Sequence, residues 1–284
     1  MEKALKRAQI LVEALPYIRE FFGKTIVIKY GGKAWLNEDL KRKIAEDVVL
    51  MRYVGIKPVL VHGGGEAITA MMKKLNIKPR FIEGNRVTDK DTMEIVEMVL
   101  AGKINKEIVS TLNQLGGKAI GLEGKDGGLV LARRTKNKAL GLVGEIEKIN
   151  PKSIEVLEKE GFIPVIAPIG VSKEGETLNI NADVVAAEIA QSLKAEKLIF
   201  LTDVEGILEN PSNEKSLIST VRVDEIEDLI EKKKIQKGMI AKIKACRIAL
   251  DGGVNKVHII SGRIPHSLLL EIFTDEGIGT QVIK

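Results

Sequence analysis

Short β-branched runs alternate with longer segments of helical periodicity along most of this chain, which restricts the folds open to it. Strands that alternate with helices favour βαβ units and a mainly parallel sheet. At 284 residues, the chain suits either one large α/β unit or two lobes that share a sheet. Predicted strands cover 25–30, 57–62, 119–122, 161–169, 197–202 and 256–260. Predicted helices cover 40–53, 66–75, 93–115, 183–193 and 235–250.

Two segments depart from this alternation. Residues 3–22 carry apolar side chains at steps of three and four, which indicates an amphipathic helix that Pro16 should kink or break and Gly23 should end. Residues 125–150 are rich in glycine and basic residues, and their short alternating segments predict an inserted β-ribbon. Small residues cluster near 170–178 and indicate a lobe boundary. We therefore predict a helical arm at 1–22, an N-terminal lobe at 23–175 and a C-terminal lobe at 176–284.

The composition is that of a globular protein, with 44% hydrophobic and 29% charged residues. A net charge of +5 fits either a solvated lysine-rich surface or a field that attracts anionic substrates. Aromatic residues make up only 4%, which argues against nucleic-acid binding. Cys246 is the only cysteine, so a disulfide within the chain is excluded. With no apolar run of transmembrane length and no signal peptide, we expect a cytoplasmic protein.

Two predicted strands lead directly into glycine clusters. The first strand ends before Gly31 and Gly32, and the second ends before Gly63, Gly64 and Gly65, where a helix follows at once. Such turns are either plain βα connections or anion sites, because a helix N-terminus after glycines aims free N–H groups at an anion. Neither cluster matches the P-loop or the dinucleotide-binding pattern. A phosphate bound here would be bound in another way.

Several polar residues could complete an anion site. Lys29 lies late in a strand that should be buried, where an unpaired ammonium is costly unless it points toward an anion. Lys242 is a second candidate lysine, and Asp183 could hold the two in position. Arg86 can grip a carboxylate with two parallel hydrogen bonds. Asn179 and Asn181 share one face of an extended segment, and Asn181 or Asp183 could instead cap the next helix. None of the three histidines, at positions 62, 258 and 266, has metal-ligand spacing, so no protein-bound metal is predicted.

Seven segments in order resemble the amino-acid kinase family, and among its members the acetylglutamate kinases. They read IVIKYGGKA, VLVHGGGEAI, GNRVTD, LNINAD, KLIFLTDVEGIL, KGMIAKI and GGVNKVHIISG, and they span nearly the whole chain. The GNRVTD segment favours acetylglutamate kinases over uridylate, carbamate, glutamate or aspartate kinases. The resemblance implies a three-layer αβα sandwich around a mainly parallel sheet, with two lobes.

The resemblance also implies ATP-dependent phosphorylation of the side-chain carboxylate of N-acetyl-L-glutamate, in arginine biosynthesis. Lys29 and Lys242 would stabilise the transition state and Asp183 would hold both. Magnesium would arrive with ATP. The substrate would contact Gly64, Gly65, Arg86, Asn179 and Asn181. The nucleotide would contact Gly31, Gly32, Thr202, Asp203 and Lys242. A glutamate carboxylate is already ionised at neutral pH, so the lack of a placed histidine base is expected, and His62 is interpreted as a turn or wall residue.

The helical arm matches the arginine-sensitive acetylglutamate kinases, in which such an arm joins dimers into a hexamer. The resemblance therefore implies feedback inhibition by L-arginine, with Tyr17, Lys197, Glu276 and Gly279 near the effector. Two alternatives stay open. The chain could be a sister kinase that acts on another amino-acid carboxylate, such as an aminoadipate derivative. It could also be a non-catalytic arginine-sensing subunit, although the phosphate-site residues are all in place.

Overall fold

The computed structural model describes residues 1–31, 37–210, 213, 216–231, 237–275 and 277–284. Its helices are α1 Glu2–Glu13, α2 Leu15–Phe21, α3 Glu38–Tyr53, α4 Gly65–Lys74, α5 Lys90–Glu97, α6 Asn105–Gln114, α7 Lys152–Lys159, α8 Ala182–Ser192, α9 Ile226–Glu231, α10 Lys237–Asp251 and α11 Ser267–Phe273. Its strands are β1 Thr25–Tyr30, β2 Lys57–His62, β3 Phe81–Ile82, β4 Asn85–Arg86, β5 Ala119–Leu122, β6 Val130–Arg134, β7 Gly144–Ile149, β8 Ile163–Ile166, β9 Ile169–Val171, β10 Thr177–Asn179, β11 Lys197–Thr202, β12 Thr220–Arg222, β13 Lys256–Ser261 and β14 Thr280–Ile283.

A sheet of eight strands forms the centre of the described chain, in the order β12-β14-β13-β11-β1-β2-β8-β5. Every neighbouring pair is parallel except β13 and β14. Helices α3, α6 and α11 pack together as one group, and α8 packs against α10 as another. This arrangement confirms the predicted α/β class, with its three layers and mainly parallel sheet.

The middle strands of this sheet are buried because their sequences are almost wholly apolar. All six residues of β11 are buried, and Phe200 at its centre is fully enclosed. The large sheet divides into two halves, one built from the earlier strands of the chain and the other from the later strands. The strands β1, β2, β8 and β5 form one half, whereas β11, β13, β14 and β12 form the other. Strands β1 and β11 therefore meet at the border between the halves.

A second sheet contains the predicted β-ribbon. Strands β6 and β7 pair in antiparallel fashion, as expected, but the hairpin of β9 and β10 extends them to the order β10-β9-β6-β7. The prediction of one strand over 161–169 is therefore wrong. That segment divides into β8 in the large sheet and β9 in the small one. Pro168 lies between them, and since proline has no N–H it cannot continue a ladder.

Of two predicted helices with special features, one agrees with the structure and the other differs from it. The arm breaks at Ala14, between α1 and α2, with Pro16 in the first turn of α2, as the sequence predicted. The predicted helix over 93–115 starts earlier, at Lys90, and its middle is a π-helix, Met98–Ile104. The prediction of an uninterrupted α-helix is wrong there, because a π-helix forms hydrogen bonds between residues i and i+5 and so adds a residue to the turn.

Among the described residues, no helix is both long enough and apolar enough to span a membrane.

Candidate active site

The carboxyl ends of β1 and β2 bring the two glycine clusters together. The strands pair in parallel register along their whole length, so Gly31 follows β1 beside the point where Gly63 follows β2. The N–H of Gly63 donates to the carbonyl of Tyr30 over 2.9 Å, which ties the two turns to each other. Ligands in open α/β sheets bind at this end of the strands.

A cavity of about 290 Å³ opens at this edge. Its polar side includes Lys29, Arg86, Asn179, Asn181 and Asp183, together with backbone from Gly31, Gly64 and Gly65. Its apolar side includes Ile68, Phe81, Leu100, Val143, Pro168 and Ile180. The predicted substrate residues and two of the three predicted catalytic residues therefore share one cavity.

The carboxylate of Asp183 lies between two ammonium groups. Lys29 Nζ is 2.9 Å from Asp183 Oδ1, and Lys242 Nζ is 3.0 Å from Asp183 Oδ2. All three side chains are largely buried, and they come from β1, α8 and α10. Two cations on one carboxylate leave the cluster with a net positive charge beside the cavity, which is suited to an anion with several charged oxygens.

The charge states in this cluster follow from burial and mutual contact. Burial raises the pKa of the Asp183 carboxyl, but the two lysines outweigh it, so its pKa lies below the ordinary value. Burial also lowers the pKa of Lys242, and the neighbouring Lys29 lowers it further, against the opposing effect of Asp183. The ammonium of Lys242 also lies 5.2 Å from the centre of the Phe200 ring.

Arg86 is held by the glycine turn and by α4. Its Nη2 donates to the carbonyl of Gly65 over 2.8 Å and to Thr69 Oγ1 over 2.8 Å. Its Nη1 approaches Met72 Sδ at 3.2 Å, and its guanidinium lies 4.8 Å from the centre of the Phe81 ring. Burial lowers its pKa from the ordinary value, yet an arginine stays charged in proteins. Within the described part of the chain, its Nε and the second hydrogen of Nη1 have no partner, so an anion in the cavity can accept from them.

A hydroxyl links Arg86 to Asn179. Thr88 Oγ1 donates to the carbonyl of Arg86 over 2.9 Å and accepts from Asn179 Nδ2 over 3.1 Å. Thr88 is fully buried, and its part in the site was not predicted. The signal available in the sequence was its place in the quoted GNRVTD segment. This link fixes the positions of two predicted substrate residues relative to each other.

Asn181 caps α8, and Asp183 does not. Asn181 Oδ1 accepts from the N–H of Asp183 over 2.8 Å and from the N–H of Val184 over 3.4 Å. This cap decides between the two alternatives that the sequence left open. It also places Asp183 in the first turn of the helix, where the helix dipole favours a negative charge.

Gly31 has no room for a side chain. A Cβ at this position would collide with the Lys29 ammonium, so the turn lets the lysine reach Asp183. The N–H of Ile68 makes the first helical bond, 3.0 Å to the carbonyl of Gly64. The N–H groups of Gly64 and Gly65 precede that bond and have no partner inside the helix.

Of the predicted nucleotide residues, Gly31 lines this cavity and Lys242 adjoins it, but two others lie elsewhere at the same sheet edge. Thr202 ends β11, the neighbour of β1, and Asp203 follows it. Neither lines the cavity described above. The predicted contact at Gly32 lies outside the described residues.

A second cavity, of about 520 Å³, lies between α2 and the strands of the C-terminal half. It is lined by Tyr17, Lys197 and Gly279, three of the four residues expected near L-arginine. The fourth, Glu276, lies outside the described residues. Three further acidic side chains, those of Glu20, Glu271 and Asp275, also line this cavity.

Several charged side chains of the second cavity contact one another. Lys197 Nζ lies 3.9 Å from Glu271 Oε1 and 4.8 Å from the centre of the Phe21 ring. Burial lowers the pKa of Lys197, against the opposing effect of Glu271. His258 Nδ1 contacts the same glutamate oxygen at 2.5 Å. A hydrogen bond with Asp275 raises the pKa of Tyr17.

Comparison with known proteins identifies the family of this chain. The model of the amino acid kinase family matches residues 24–261. The acetylglutamate kinase of Halothermothrix orenii is 56% identical over 288 aligned positions, which cover 100% of this chain and 99% of that protein.

Two solved structures of the N-acetylglutamate synthase of Neisseria gonorrhoeae also match. The complex with coenzyme A and N-acetyl-glutamate has a TM-score of 0.85 at 29% identity. The complex with coenzyme A and L-arginine has a TM-score of 0.81 at 28% identity. Both alignments cover 98% of this chain, which spans 63% and 65% of the respective synthase chains.

Proposed function

This chain belongs to the amino acid kinase family, and we propose that it transfers the γ-phosphoryl group of ATP to the side-chain carboxylate of N-acetyl-L-glutamate, as a step of arginine biosynthesis. Its similarity to an acetylglutamate kinase extends over the whole chain. One observation in the structure carries the proposal. The cluster of Lys29, Asp183 and Lys242 adjoins a cavity lined by a positioned arginine and by Gly64 and Gly65, whose N–H groups have no acceptor among the described residues.

The cluster supplies what phosphoryl transfer needs. The reaction depends on positioning and on neutralising charge at the γ-phosphoryl oxygens. Lys29 and Lys242 bring two positive charges, and Asp183 holds both ammonium groups within 3.0 Å of its oxygens. These groups are fixed before the substrates arrive, so little reorganisation is required during the reaction.

The two sides of the cavity match the acceptor. N-acetyl-L-glutamate carries two carboxylates, an amide and a methyl group. In our assignment Arg86 binds the α-carboxylate, and the amides of Gly64 and Gly65 face the reacting carboxylate. The methyl group lies against the apolar side, where Leu100 and Val143 are found. The reacting carboxylate has an ordinary pKa of about 4.3 and needs no general base.

Magnesium enters this reaction as part of the nucleotide substrate. The described residues contain no group of three His, Cys, Asp or Glu side chains that could hold a metal ion. A magnesium ion that keeps several waters and binds through substrate phosphates does not need such a cage. In the proposed reaction the phosphoryl donor is therefore MgATP, and its nucleoside binds near Thr202 and Asp203.

The lobes divide the two substrates between them in this proposal. Residues 23–175 form the dimer and bind N-acetyl-L-glutamate together with Asn179 and Asn181 from just beyond that boundary, while residues 176–284 bind ATP. The halves of the central sheet support the division, because β1 carries Lys29 at the border and β11 lies beside it. The cytoplasm stays the predicted location.

An ADP-release assay with MgATP tests the proposed activity. We expect turnover with N-acetyl-L-glutamate and at least about 100-fold lower kcat/KM with free glutamate, whose ammonium would be buried against the apolar side. Equal turnover on both substrates would contradict the assignment of the acetyl group. Turnover only on an aminoadipate derivative would identify a sister kinase instead.

We also propose that L-arginine inhibits the enzyme from the second cavity. Acidic side chains there can bind a guanidinium and an ammonium, and Lys197 can bind a carboxylate. The related synthase has been solved with L-arginine. Helix α1 leaves Leu5, Ile10, Leu11 and Val12 exposed, which is consistent with an arm that joins dimers into a hexamer.

Two truncations separate these roles. Removal of residues 1–22 takes away α2 with Tyr17, and we expect it to abolish inhibition and leave dimers. Removal of residues 1–13 takes away α1 alone, and we expect dimers that still bind L-arginine. Sedimentation and binding calorimetry measure both properties. Full inhibition in the shorter, dimeric chain that lacks 1–22 would contradict the proposed site.

A further inference from the structure

His62 and Asn105 lie beneath the second glycine turn, and both are fully buried. His62 is the last residue of β2, directly before Gly63, and Asn105 is the first residue of α6, directly after the π-helix. The function proposed above gives neither side chain a role. Buried polar groups of this kind need a complete set of hydrogen-bond partners, and those partners decide the state of the imidazole.

Asn105 has only one consistent orientation. Its Nδ2 lies 2.9 Å from the carbonyl of Val165, which can only accept. Its Oδ1 lies 3.2 Å from the ammonium of Lys106, which can only donate. The second hydrogen of Nδ2 then points to His62 Nε2, at 3.2 Å. That nitrogen must therefore accept.

An accepting Nε2 fixes the tautomer of His62. The ring proton then lies on Nδ1, which is 3.0 Å from the carbonyl of Gly63 and donates to it. Burial lowers the pKa of His62 to about 4, and the charges of Lys106 and Lys29 act in the same direction, so the ring is neutral at physiological pH. The imidazole cannot act as an acid there, but it can hold a peptide group in place.

The carbonyl groups of the glycine turn all accept hydrogen bonds, whereas two of its N–H groups do not donate any among the described residues. The carbonyl of Gly63 accepts from His62, that of Gly64 accepts from Ile68 N–H, and that of Gly65 accepts from Arg86. Within the described part of the chain, the N–H groups of Gly64 and Gly65 have no acceptor. In a trans peptide the carbonyl and the following N–H point in opposite directions. A bond that holds the Gly63 carbonyl against the imidazole therefore turns the Gly64 N–H the other way, toward the cavity.

We propose that His62 and Asn105 are positioning residues: Asn105 fixes the Nδ1–H tautomer of His62, and His62 holds the Gly63–Gly64 peptide so that the Gly64 N–H faces the reacting oxygens. The inference rests on the proposed phosphoryl transfer. It also explains Gly121 in β5, because a Cβ there would collide with Asn105 Oδ1. A preorganised backbone donor of this kind acts on charge that develops in the transition state.

Two substitutions at His62 test the proposal against simple packing. In His62→Asn the amide nitrogen takes the place of Nδ1 and keeps the bond to Gly63. In His62→Gln the polar end takes the place of Nε2, so contact with Asn105 is kept and the bond to Gly63 is lost. We expect kcat to fall by about 30-fold or more in H62Q and by less than about 5-fold in H62N, with the KM for MgATP unchanged.

A packing role predicts the opposite order, because asparagine leaves the larger void. H62N as impaired as H62Q, or H62Q with wild-type kcat, overturns the inference. Crystal structures of the two variants give a readout that does not depend on the substrate. We expect a rotated Gly63–Gly64 peptide in H62Q only, and an unrotated peptide in H62Q overturns the inference. Absence of turnover by the wild-type enzyme would contradict the proposed function and leave this structural test intact.

Asn105→Asp provides an independent variant if either His62 substitution prevents folding. An aspartate accepts at the place of Nδ2, so it draws the ring proton to Nε2 and raises the His62 pKa, against the charges of Lys106 and Lys29. The protonated ring still donates to Gly63 and the neutral ring does not. We expect kcat of N105D, relative to the wild type, to fall as the pH rises through that pKa. A ratio that does not change with pH overturns the inference.

Discussion

The ammonium of Lys242 lies 3.0 Å from the carboxylate of Asp183, although 59 positions separate the two residues in the chain. Lys29 reaches the other oxygen of the same carboxylate. One acid therefore determines the positions of two cations, one on strand β1 and the other on helix α10. Without that acid, two buried ammonium groups would repel each other at the edge of the cavity.

Asp183→Asn tests this dependence with almost no change in size. We expect kcat to fall by about 100-fold or more, because both lysines lose their common anchor. The free energy of unfolding should fall by about 3 kcal/mol, since two buried cations lose their counter-charge. Steady-state kinetics and urea unfolding measure the two effects. Asp251→Asn, at the exposed end of α10, is the matched control, and equal effects in both variants would contradict the account.

Gly31→Ala tests the path of Lys29. The new methyl group would meet the end of a flexible side chain, so the lysine can move aside without unfolding the protein. We expect kcat to fall by about 100-fold, with a melting temperature close to that of the wild type. Gly102→Ala is the control, because a Cβ at that exposed position meets nothing within 4 Å. Wild-type kcat in Gly31→Ala would show that Lys29 need not reach Asp183.

Arg86→Lys tests how the acceptor is gripped. A lysine cannot keep the paired bonds to Gly65 and Thr69 and still present a second N–H to a carboxylate. We expect the KM for N-acetyl-L-glutamate to rise by about 30-fold, with a smaller change in kcat and none in the KM for MgATP. Arg80→Lys, whose side chain is exposed, should leave all three values unchanged. A rise confined to the KM for MgATP would show that Arg86 binds the nucleotide and not N-acetyl-L-glutamate.

The sequence was sufficient to predict the strands that lie beside the site. Strands β1, β2 and β11 have the predicted bounds, because apolar β-branched runs end there at glycine or polar residues. The contacts among Lys29, Asp183 and Lys242 also agree with the prediction that an acid holds both lysines. Local pattern was enough for the strands, whereas the contact of one acid with two lysines was implied by the resemblance to the amino-acid kinase family, because the three residues are far apart in the chain.

Other features depend on tertiary contacts that no local pattern contains. The π-helix is one of them, and two of its side chains, Leu100 and Ile104, pack close to Gly64, which lies far away in the chain. The division between β8 and β9 depends on which sheet each segment joins. The bonds of Asn105 run to His62 and Val165, which are 43 and 60 positions away. Sequence spacing could not have predicted them.

A buried pair of residues outside the site leads to a prediction about how stability depends on pH. Asp47 in α3 is fully enclosed and lies 2.6 Å from Nδ1 of His266. Burial raises its pKa to about 6, against the opposing hydrogen bond from His266. At this carboxyl the native state holds more protons than the unfolded state between pH 4 and 6, so its own contribution to the free energy of unfolding falls as the pH rises through that window. His62, whose pKa is lowered to about 4, contributes in the opposite direction over the same window.

Asp47→Asn removes this titration. We expect the melting temperature of this variant, relative to that of the wild type, to rise as the pH increases from 4 to 6, measured by calorimetry. Asp39→Asn, at an exposed position of the same helix, should keep the wild-type slope. An unchanged slope in Asp47→Asn would show that this carboxyl is ionised throughout the window.

In the proposed reaction the phosphoryl group passes to a carboxylate held in the cavity, so the chemical identity of the product shows whether this transfer takes place. Hydroxylamine converts an acyl phosphate to a hydroxamate, whose position mass spectrometry can assign. With MgATP and N-acetyl-L-glutamate, the account predicts one hydroxamate, on the side-chain carboxyl, in amounts equal to the ADP formed. ADP without hydroxamate, or a hydroxamate on the α-carboxyl, would contradict it.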